Sequence, residues 1–450
     1  MIDVDVDVDV DVKCPELTVI GVTCLYPTIM PSSSGRRRRR IIFVVSFLGV
    51  FSLIVQTLRL GTKVVPLDMV EEQASSPRVI GASGNFPLTT KNITVMVDLR
   101  AGWRDWGFSY FEADQLRLYG RFNYQIEWFH FTNDFDRLRR LANNPSSHAC
   151  ILVSNPKGLE EIRQEHAPHC KTWIINDEYC AFDGDIRHYF KQANVSSEIF
   201  IPLGPRYDFD RAYRHRYSDM TTSQLRSNPP KALPFTKRRY MFNAIFSKST
   251  SPSRKELKAI LLQSPKYASD TTSESTFNKG NPEYFIQIPG KWRRQMHPVF
   301  HVNSSQYVDI LSQSKFTLSP TGHNPECFRL WESILMGSIP ILAIGDEEYQ
   351  THKCPNALGP VLESALKDAN VPAATIQQVL DRPDQHLEVL QDRLPFVVLN
   401  NWTRLEATLD RVLREGSAAL QARQQRLQDW YFKFMRERVG MLEDYLLKDH

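Results

Sequence analysis

Short apolar runs alternate with stretches of helical periodicity along the chain after residue 92. In the first half, buried strands are predicted at residues 93–97, 126–131, 149–153, 172–175 and 199–203, with helices at 111–118, 134–141 and 157–164 between them. Strands and helices that alternate in this way are typical of βαβ units and a parallel sheet.

A polar, proline-containing stretch at residues 206–234 interrupts this alternation, which then resumes. Strands at 239–246, 284–288 and 396–399 and helices at 253–262 and 304–313 precede a long amphipathic helical region at 403–447. The sequence therefore predicts two α/β domains, at residues 92–235 and 236–402, and a helical tail at 403–450. Two such sheets facing across a cleft place ligands at the carboxyl ends of their strands.

The segment at residues 315–344 carries the clearest local signals. It predicts a strand at 315–319, a short helix and a second strand at 339–344. Asn324 is suited to cap the helix, Pro325 to occupy its first position and Glu326 to lie near its positive end. Gly337 is expected to end the helix. Its spacing predicts one buried face, made of Cys327, Leu330, Trp331, Ile334 and Leu335.

The same helix is expected to carry Glu326, Arg329 and Glu332 on its opposite face, beside the turn Thr321-Gly322-His323. An anion near a helix N-terminus with an arginine fork beneath it is a suitable site for a diphosphate. An exposed ion pair on an ordinary crossover helix explains the spacing equally well.

The N-terminal region predicts a membrane anchor. Residues 41–58 are apolar and uncharged, and five arginines, 36–40, precede them. This length spans a bilayer core, and the positive-inside rule places residues 1–40, a tail expected to be disordered, in the cytoplasm. Residues 59–91 are then a luminal stem, and we expect a single-pass type II protein of the Golgi or endoplasmic reticulum membrane.

A luminal body agrees with four glycosylation sequons and with the cysteines. The sequons begin at Asn92, Asn194, Asn303 and Asn401. Five cysteines follow the anchor, and their pairing cannot be deduced from the sequence. The near-neutral net charge of +4 gives no indication of a nucleic-acid surface. The sequence also contains no dinucleotide-binding glycine motif, no P-loop and no nucleophile elbow.

Three further groups of residues are candidates for chemistry. Asp177 and Glu178 follow a predicted strand, so either is a candidate general base, or a loop carboxylate that caps the next helix. Asp183 and Asp185 form an Asp-Gly-Asp triplet that suggests a divalent metal, although an acidic turn is the commoner explanation. Arg293, in a basic cluster at residues 291–294, is expected either to meet phosphates or to be solvated.

Several segments, in the same order, resemble exostosin-like glycosyltransferases and more closely the ribitol xylosyltransferase family that acts on dystroglycan glycans. They are DEYC at 177–180, IPLG at 201–204, RRYMFNAIFSKSTSPSRKEL at 238–257, SKFTLSPTGHNPECFRLWESILMGSIPILA at 314–343, FVVLNNW at 396–402 and QDWYFKF at 428–434. The resemblance implies a GT-B architecture, with two Rossmann-like domains separated by a cleft, and a donor such as UDP-xylose.

The resemblance also implies roles for individual residues. Arg329 would contact the diphosphate, Glu332 the ribose hydroxyls, and the main chain from Thr321 to Asn324 would close over the phosphates. No metal cofactor is expected. Transfer would invert the anomeric centre, with Glu178 as the base and Asp177 as the second candidate.

The acceptor implied by the resemblance is a glycan, with ribitol phosphate on an O-mannosyl glycan as the leading candidate, and a complex with other glycosyltransferases is a further expectation. Two alternatives remain open from the sequence. One is a non-catalytic subunit of the same fold that binds glycans or stabilises a complex. The other is an exostosin-type hexosyl- or glucuronosyltransferase.

Overall fold

The computed structural model describes residues 91–98, 116, 119–154, 157–175, 185–187, 199–221, 224, 230–247, 251–267, 276–277, 283–288, 302–322, 326–345 and 358–448. These residues belong to one compact unit, Val79–His450. No helix among them is long and apolar enough to cross a membrane, and the predicted anchor at 41–58 lies outside them.

The first sheet has six parallel strands. They are β1 (Asn92–Asp98), β2 (Asn123–Phe129), β3 (Ser147–Ser154), β4 (Lys171–Ile174), β5 (Ile186–Arg187) and β6 (Ile199–Phe200). Their order is β2-β1-β3-β4-β5-β6. The chain passes from β1 to one neighbour, β2, and then to the other, β3, so the switch point of this sheet lies between β1 and β3.

The second sheet also has six strands. They are β7 (Tyr240–Ile245), β8 (Thr276–Phe277), β9 (Tyr284–Ile288), β10 (Ser314–Leu318), β11 (Ile339–Ala343) and β12 (Val397–Leu399), in the order β12-β11-β10-β7-β9-β8. Only β8 is antiparallel to its neighbour. The switch point of this sheet lies between β7 and β10.

Helices cover the sheets. They are α1 (Phe135–Ala142), α2 (Leu159–His166), α3 (Tyr207–Arg216), α4 (Pro252–Gln263), α5 (Ser304–Gln313), α6 (Phe328–Leu335), α7 (Gly359–Asp368), α8 (Ala373–Asp381), α9 (Leu387–Arg393), α10 (Leu405–Leu413) and α11 (Ser417–Lys448). Short 3-10 helices lie at Phe131–Asn133, Phe235–Lys237, Pro383–His386 and Trp402–Arg404. The fold is therefore α/β with two mainly parallel sheets, as predicted.

Strand β1 shows why the run at residues 93–97 is apolar except at Thr94, which is itself buried. Val95 and Val97 lie in a core that also contains residues of α11, whereas Met96 lies in a separate core with residues of α1 and α2. A parallel strand covered on both faces needs apolar side chains in both directions. This run therefore predicted a buried strand correctly.

Helix α11 belongs to the cores of both sheets. Trp430 and Phe434 lie in the core of the second sheet, and Val439 and Leu442 lie in that of the first. The ring of Phe434 stacks on Trp331 of α6 with 5.9 Å between centroids. The predicted helical tail at 403–450 thus contains two helices, α10 and the 32-residue α11, and α11 packs against both sheets.

A disulfide joins Cys150 in β3 to Cys170, directly before β4. Among the described residues, one set of side chains has spacing suited to a metal, namely Cys150, His169 and Cys170. The disulfide removes both thiolates from that set, so it is not a metal site. Cys327 is a free, buried thiol.

The buried carboxylate of Glu443, on α11, attaches this helix to the start of β2. It accepts hydrogen bonds from the main-chain amides of Arg121 (2.6 Å) and Phe122 (3.2 Å), from the Tyr124 hydroxyl (3.0 Å) and from Arg121 Nε (2.9 Å). One side chain therefore satisfies four donors, two of which belong to the main chain.

We expect Glu443→Ala to lower the free energy of unfolding of the full chain by about 3 kcal/mol, because it leaves buried donors without an acceptor. Chemical denaturation followed by tryptophan fluorescence measures this loss. Asp444→Ala is the matched control, because Asp444 pairs with the same arginine but is 64% exposed. The free energy of unfolding of this control should fall by less than about 1 kcal/mol. Equal losses for the two variants would contradict the role given to Glu443.

Candidate functional site

The carboxyl ends of the two sheets meet through main-chain amides and buried carboxylates. The amide of Leu203, which follows β6, donates to Glu326 Oε1 (2.7 Å), between β10 and α6. The amide of Arg206 donates to Glu332 Oε1 (3.2 Å), within α6. These contacts bring the edge expected to bind ligands in the first sheet against the corresponding edge of the second.

Helix α6 begins later than predicted. It starts at Phe328, and Cys327 precedes it in extended conformation (φ −142°, ψ 155°) without a side-chain cap. Asn324 and Pro325, the predicted cap and first residue, lie outside the described residues. Glu326 precedes the helix because its carboxylate accepts a hydrogen bond from Trp331 Nε1 (2.7 Å) and one from the distant Leu203 amide. This tertiary contact outweighs the local capping signals.

The rest of the helix agrees with its sequence. All five residues of the predicted inner face are buried, at most 9% exposed. Gly337, with φ +66°, follows the helix, as expected of a helix-terminating glycine.

The predicted outer face is different. Glu326 and Glu332 are only 2% and 3% exposed, and Glu326 contacts Trp331 of the inner face. The alternative of an exposed ion pair is therefore wrong, and so is the placement of Glu326 opposite the buried face.

Glu326 is a buried acid with an incomplete set of partners. Burial raises the pKa of Glu326 to about 8, although the hydrogen bonds from Leu203 and Trp331 act in the opposite direction. Its Oε2 has no hydrogen-bond partner among the described residues. Because the protonated form is favoured at neutral pH, Glu326 contributes little negative charge to its surroundings.

Glu332 is held by two donors. In addition to the Arg206 amide, the hydroxyl of Tyr307 in α5 donates to its Oε2 (2.8 Å). Burial raises the pKa of Glu332, whereas the charges of Arg206 and Arg329 lower it. The side chain therefore links α5, α6 and the segment after β6. Its assignment to the ribose hydroxyls stays a prediction.

Arg329 also has unpaired polar atoms, because two nitrogens of its side chain, Nε and Nη1, are buried without a hydrogen-bond partner among the described residues. Such groups are costly to leave unpaired, and charged ones more so. A guanidinium binds carboxylates and phosphates through paired N–H groups. The first turn of α6 therefore presents a cation that is suited to an anionic ligand.

A second arginine lies at the switch point of the second sheet and was not predicted. Arg254 of α4, 8% exposed, donates from Nε to the carbonyl of Thr321 (2.8 Å). The hydroxyl of Ser251, which caps α4, donates to the same carbonyl (2.8 Å). Arg254 Nη1 also lies 3.4 Å from the hydroxyl of Ser247, directly after β7. These contacts fix the turn that follows β10.

Gly322 continues this turn beside the same arginine. A Cβ atom at Gly322 would lie 3.2 Å from Arg254 Nη2, so the glycine allows the close approach. The segment at 238–257 was matched to the family block, but none of its residues was given a chemical role. The serines and arginine after β7 were the signal that could have found them.

Several predicted site residues lie outside the described residues, and their roles stay predictions. They are Asp177, Glu178, Asp183, Arg293, His323, Asn324 and Asn194. Asp185 is described, and both its oxygens accept hydrogen bonds. Oδ2 accepts from the amide (2.7 Å) and hydroxyl (3.0 Å) of Thr172, and Oδ1 accepts from the Tyr445 hydroxyl (2.7 Å). These bonds join β4 to α11 and give Asp185 a structural role.

The three described sequon asparagines have local contacts. Asn92 Nδ2 donates to the Ser146 carbonyl (3.2 Å), and Asn303 Oδ1 caps α5 by accepting from the amide of Gln306 (2.9 Å). Asn401 accepts a hydrogen bond from the hydroxyl of Thr403. Their glycosylation stays a prediction.

The fold and this site define an α/β protein of two doubly wound sheets, with arginines and a turn at the carboxyl edge of the second. Residues 226–446 match the protein-family model described as the RXYLT1 C-terminal domain. Through this region, the chain is similar to the ribitol xylosyltransferase family.

Individual relatives agree with this family. The chain is 29% identical over 135 residues to ribitol-5-phosphate xylosyltransferase 1 of Danio rerio, covering 30% of this chain and 25% of the relative. It is 31% identical over 134 residues to the protein of the same name from Mus musculus, covering 29% and 24%. The matched part thus spans about a quarter of the length of these relatives.

Among solved structures, an α-glucosyltransferase in complex with UDP-glucose and DNA containing an abasic site is similar over 76% of this chain and 94% of that one. The sequence identity is 10% and the TM-score 0.39.

The raised pKa of Glu326 leads to a pH-dependent stability. In the folded protein, the Glu326 carboxyl keeps its proton up to about pH 8. In the unfolded chain, where its pKa is the ordinary 4.5, it releases that proton at much lower pH. The proton on Glu326 therefore contributes to the free energy of unfolding. This contribution is fully present below the pKa of Glu326 in the unfolded chain and is lost as the pH rises through its pKa in the folded protein. Glu326→Gln keeps an acceptor for Leu203 and Trp331 and has no charge to bury.

The native chain therefore loses stability as the pH rises from 5 to 8.5, and Glu326→Gln does not lose this part. We expect the free energy of unfolding of the variant, measured relative to that of the native chain, to increase by more than about 1 kcal/mol over this range. Unfolding curves of both proteins at each pH measure this difference. Glu332 is common to both and cancels from the comparison. A difference that stays constant across this range would show that Glu326 has no raised pKa.

Proposed function

We propose that this chain is a UDP-sugar-dependent glycosyltransferase of the GT-B type. The donor is UDP-xylose, and the acceptor is a glycan that carries ribitol phosphate. The proposal is supported by the family that residues 226–446 resemble and by the name of its relatives, ribitol-5-phosphate xylosyltransferase 1. The GT-B assignment is supported by two parallel sheets whose carboxyl ends meet.

The observation that carries the proposal is that Nε and Nη1 of Arg329 are buried without a hydrogen-bond partner among the described residues. A diphosphate supplies the oxygens that Nε and Nη1 lack, and it would lie near the first turn of α6, where the helix dipole favours negative charge. Arg254 holds the preceding Thr321–Gly322 turn in place and adds a second positive charge. Glu326, favoured in its neutral form, does not oppose the anion.

These groups define the chemistry that the chain can perform at the donor. The bond between the anomeric carbon and the diphosphate breaks, and its electrons remain on the leaving phosphate oxygen. Arginines and helix dipole stabilise the charge that develops there, which is the role a metal has in other transferases. An acceptor hydroxyl attacks the opposite face of the sugar and loses its proton to a base. Glu178, or else Asp177, is the base that the resemblance implies.

We also propose that the protein acts in the lumen of the Golgi or endoplasmic reticulum. The Cys150–Cys170 disulfide supports this location, because disulfides persist in oxidising compartments. The apolar segment at 41–58 and the four sequons agree with it.

We expect Arg329→Ala to weaken UDP binding about 10- to 100-fold, as for the loss of charge-assisted hydrogen bonds. Because Nε and Nη1 have no described partner in the unliganded protein, the variant should keep its melting temperature. Titration calorimetry of the full chain with UDP measures binding. Arg382→Ala is the control, since Arg382 is exposed and lies after α8, and it should bind UDP like the native chain. Unchanged UDP affinity in Arg329→Ala would overturn this donor site.

The donor and the stereochemistry are tested with UDP-sugars and ribitol 5-phosphate. We expect UDP release to be fastest with UDP-xylose and the product to be a β-xyloside, because attack from the opposite face inverts the α-linked donor. Nuclear magnetic resonance of the anomeric proton identifies the linkage. An α-linked product would contradict inversion, and faster release with UDP-glucuronate or UDP-N-acetylglucosamine would favour the exostosin-type alternative.

A further inference from the structure

Three strands of the first sheet end in a cluster of polar side chains. Asp98 is the last residue of β1, His130 directly follows β2, and Ser154 is the last residue of β3. The Ser154 hydroxyl donates to Asp98 Oδ2 (3.1 Å), and His130 Nδ1 lies 4.0 Å from Asp98 Oδ1. The Asp98–Ser154 bond crosses the switch point of the sheet, which is where doubly wound sheets bind ligands.

The imidazole is held at its position by its neighbours in the chain. Phe129 and Phe131, on either side of His130, are 4% and 0% exposed, and their ring centroids are 5.3 Å apart. The guanidinium of Arg137 covers the Phe129 ring at 4.8 Å. With both neighbours anchored in the core, the backbone at His130 is fixed.

The side chains of the cluster differ in their exposure to solvent. The side chain of Asp98 is 1% exposed, whereas that of His130 is 43% exposed. A cross-strand hydrogen bond explains Asp98 and Ser154 as structural residues. It does not explain a half-exposed imidazole whose Nδ1 lies 4.0 Å from a buried carboxylate.

The cluster lies on the carboxyl edge of the first sheet, in which β2 and β6 are the two outermost strands. All strands of the first sheet are parallel, so the ends of β1, β2 and β3 lie on the same edge as the end of β6. The segment after β6 contacts Glu326 and Glu332, which flank Arg329 along the chain. An acceptor bound at the first switch point would therefore be on the edge directed towards the donor domain.

We propose that His130 is the general base of the transfer reaction and that Asp98 positions it. This assignment rests on the proposed transferase function and replaces Glu178 in that role. Nε2 of the neutral imidazole takes the proton of the acceptor hydroxyl while the hydroxyl oxygen bonds to the anomeric carbon. The bond from that carbon to UDP breaks, UDP leaves with the electron pair, and the imidazolium later gives its proton to water.

Asp98 acts through His130. A hydrogen bond from Nδ1–H to its carboxylate holds the ring in the tautomer whose Nε2 carries no proton. The present separation of 4.0 Å is longer than a hydrogen bond. Hydrogen bonds of this kind are often long in unliganded enzymes and shorten when substrate binds. Ser154 holds the carboxylate from its other oxygen.

The first test is His130→Ala in the full chain, with UDP-xylose as donor and ribitol 5-phosphate as acceptor. We expect kcat to fall at least about 100-fold, the usual contribution of a general base, while UDP affinity by calorimetry stays within about twofold of native. His148→Ala is the matched control, because His148 lies in the same sheet near the start of β3, where its ring accepts from the Asn92 amide. The control should keep native kcat.

The second test separates positioning from structure. Asp98→Asn keeps an oxygen to accept from Ser154, so we expect a native melting temperature and native KM for UDP-xylose, with kcat reduced at least about tenfold. A purely structural Asp98 would give a change in melting temperature and no selective loss of kcat.

The outcomes distinguish this assignment from the transferase function itself. If the native chain binds no UDP and transfers no sugar, the proposed function fails. If the native chain transfers xylose and His130→Ala does so at the native rate, while Glu178→Gln does not, the function stands and the assignment of His130 is wrong.

Discussion

The arrangement of the two sheets depends on buried carboxylates that accept hydrogen bonds from main-chain amides. Glu326 and Glu332 lie in the second half of the chain, and the amides of Leu203 and Arg206 come from the segment that leaves the first sheet. Both carboxyls are buried, and burial raises the pKa of each. Buried acceptors with specific donors fix geometry more strongly than apolar contacts, because a shifted segment would leave them unpaired. The carboxyl edges of the two sheets are thereby held against each other.

The long helix α11, near the C-terminal end of the chain, also stabilises the arrangement of the two sheets. Its Phe434 ring stacks on Trp331 of α6, and its last turns contribute to the core of the first sheet. Glu443 secures those turns to the main chain before β2. The helix that carries Arg329 is thus packed against an element that also anchors the first sheet. The carboxyl edges of both sheets are therefore supported by the same helix.

Local pattern predicted most of the strands, but it missed helices α3, α7, α8 and α9, of which α3 lies in the stretch at 206–234 taken as an interruption. It predicted the site only in part. The predictions of strand β1 and of the inner face of α6 were correct. Burial on both faces of a strand and helical spacing can both be recognised from the apolar residues within one short segment. The start of α6 was wrong, because Glu326 bonds to an amide 123 residues away, and no local signal encodes that contact. Arg254 was missed because its function depends on β7 lying beside β10. Asp98 and His130 were missed for the same reason, since strand order brings them together.

The central claim is that the diphosphate of a UDP-sugar binds at Arg329, on the edge of the second sheet. A crystal structure of the full chain with UDP tests it most directly. The account expects phosphate oxygens within hydrogen-bonding distance of Nε and Nη1 of Arg329, next to the Thr321–Gly322 turn that Arg254 holds. A nucleotide bound elsewhere, with the Arg329 guanidinium still unpaired, would contradict it.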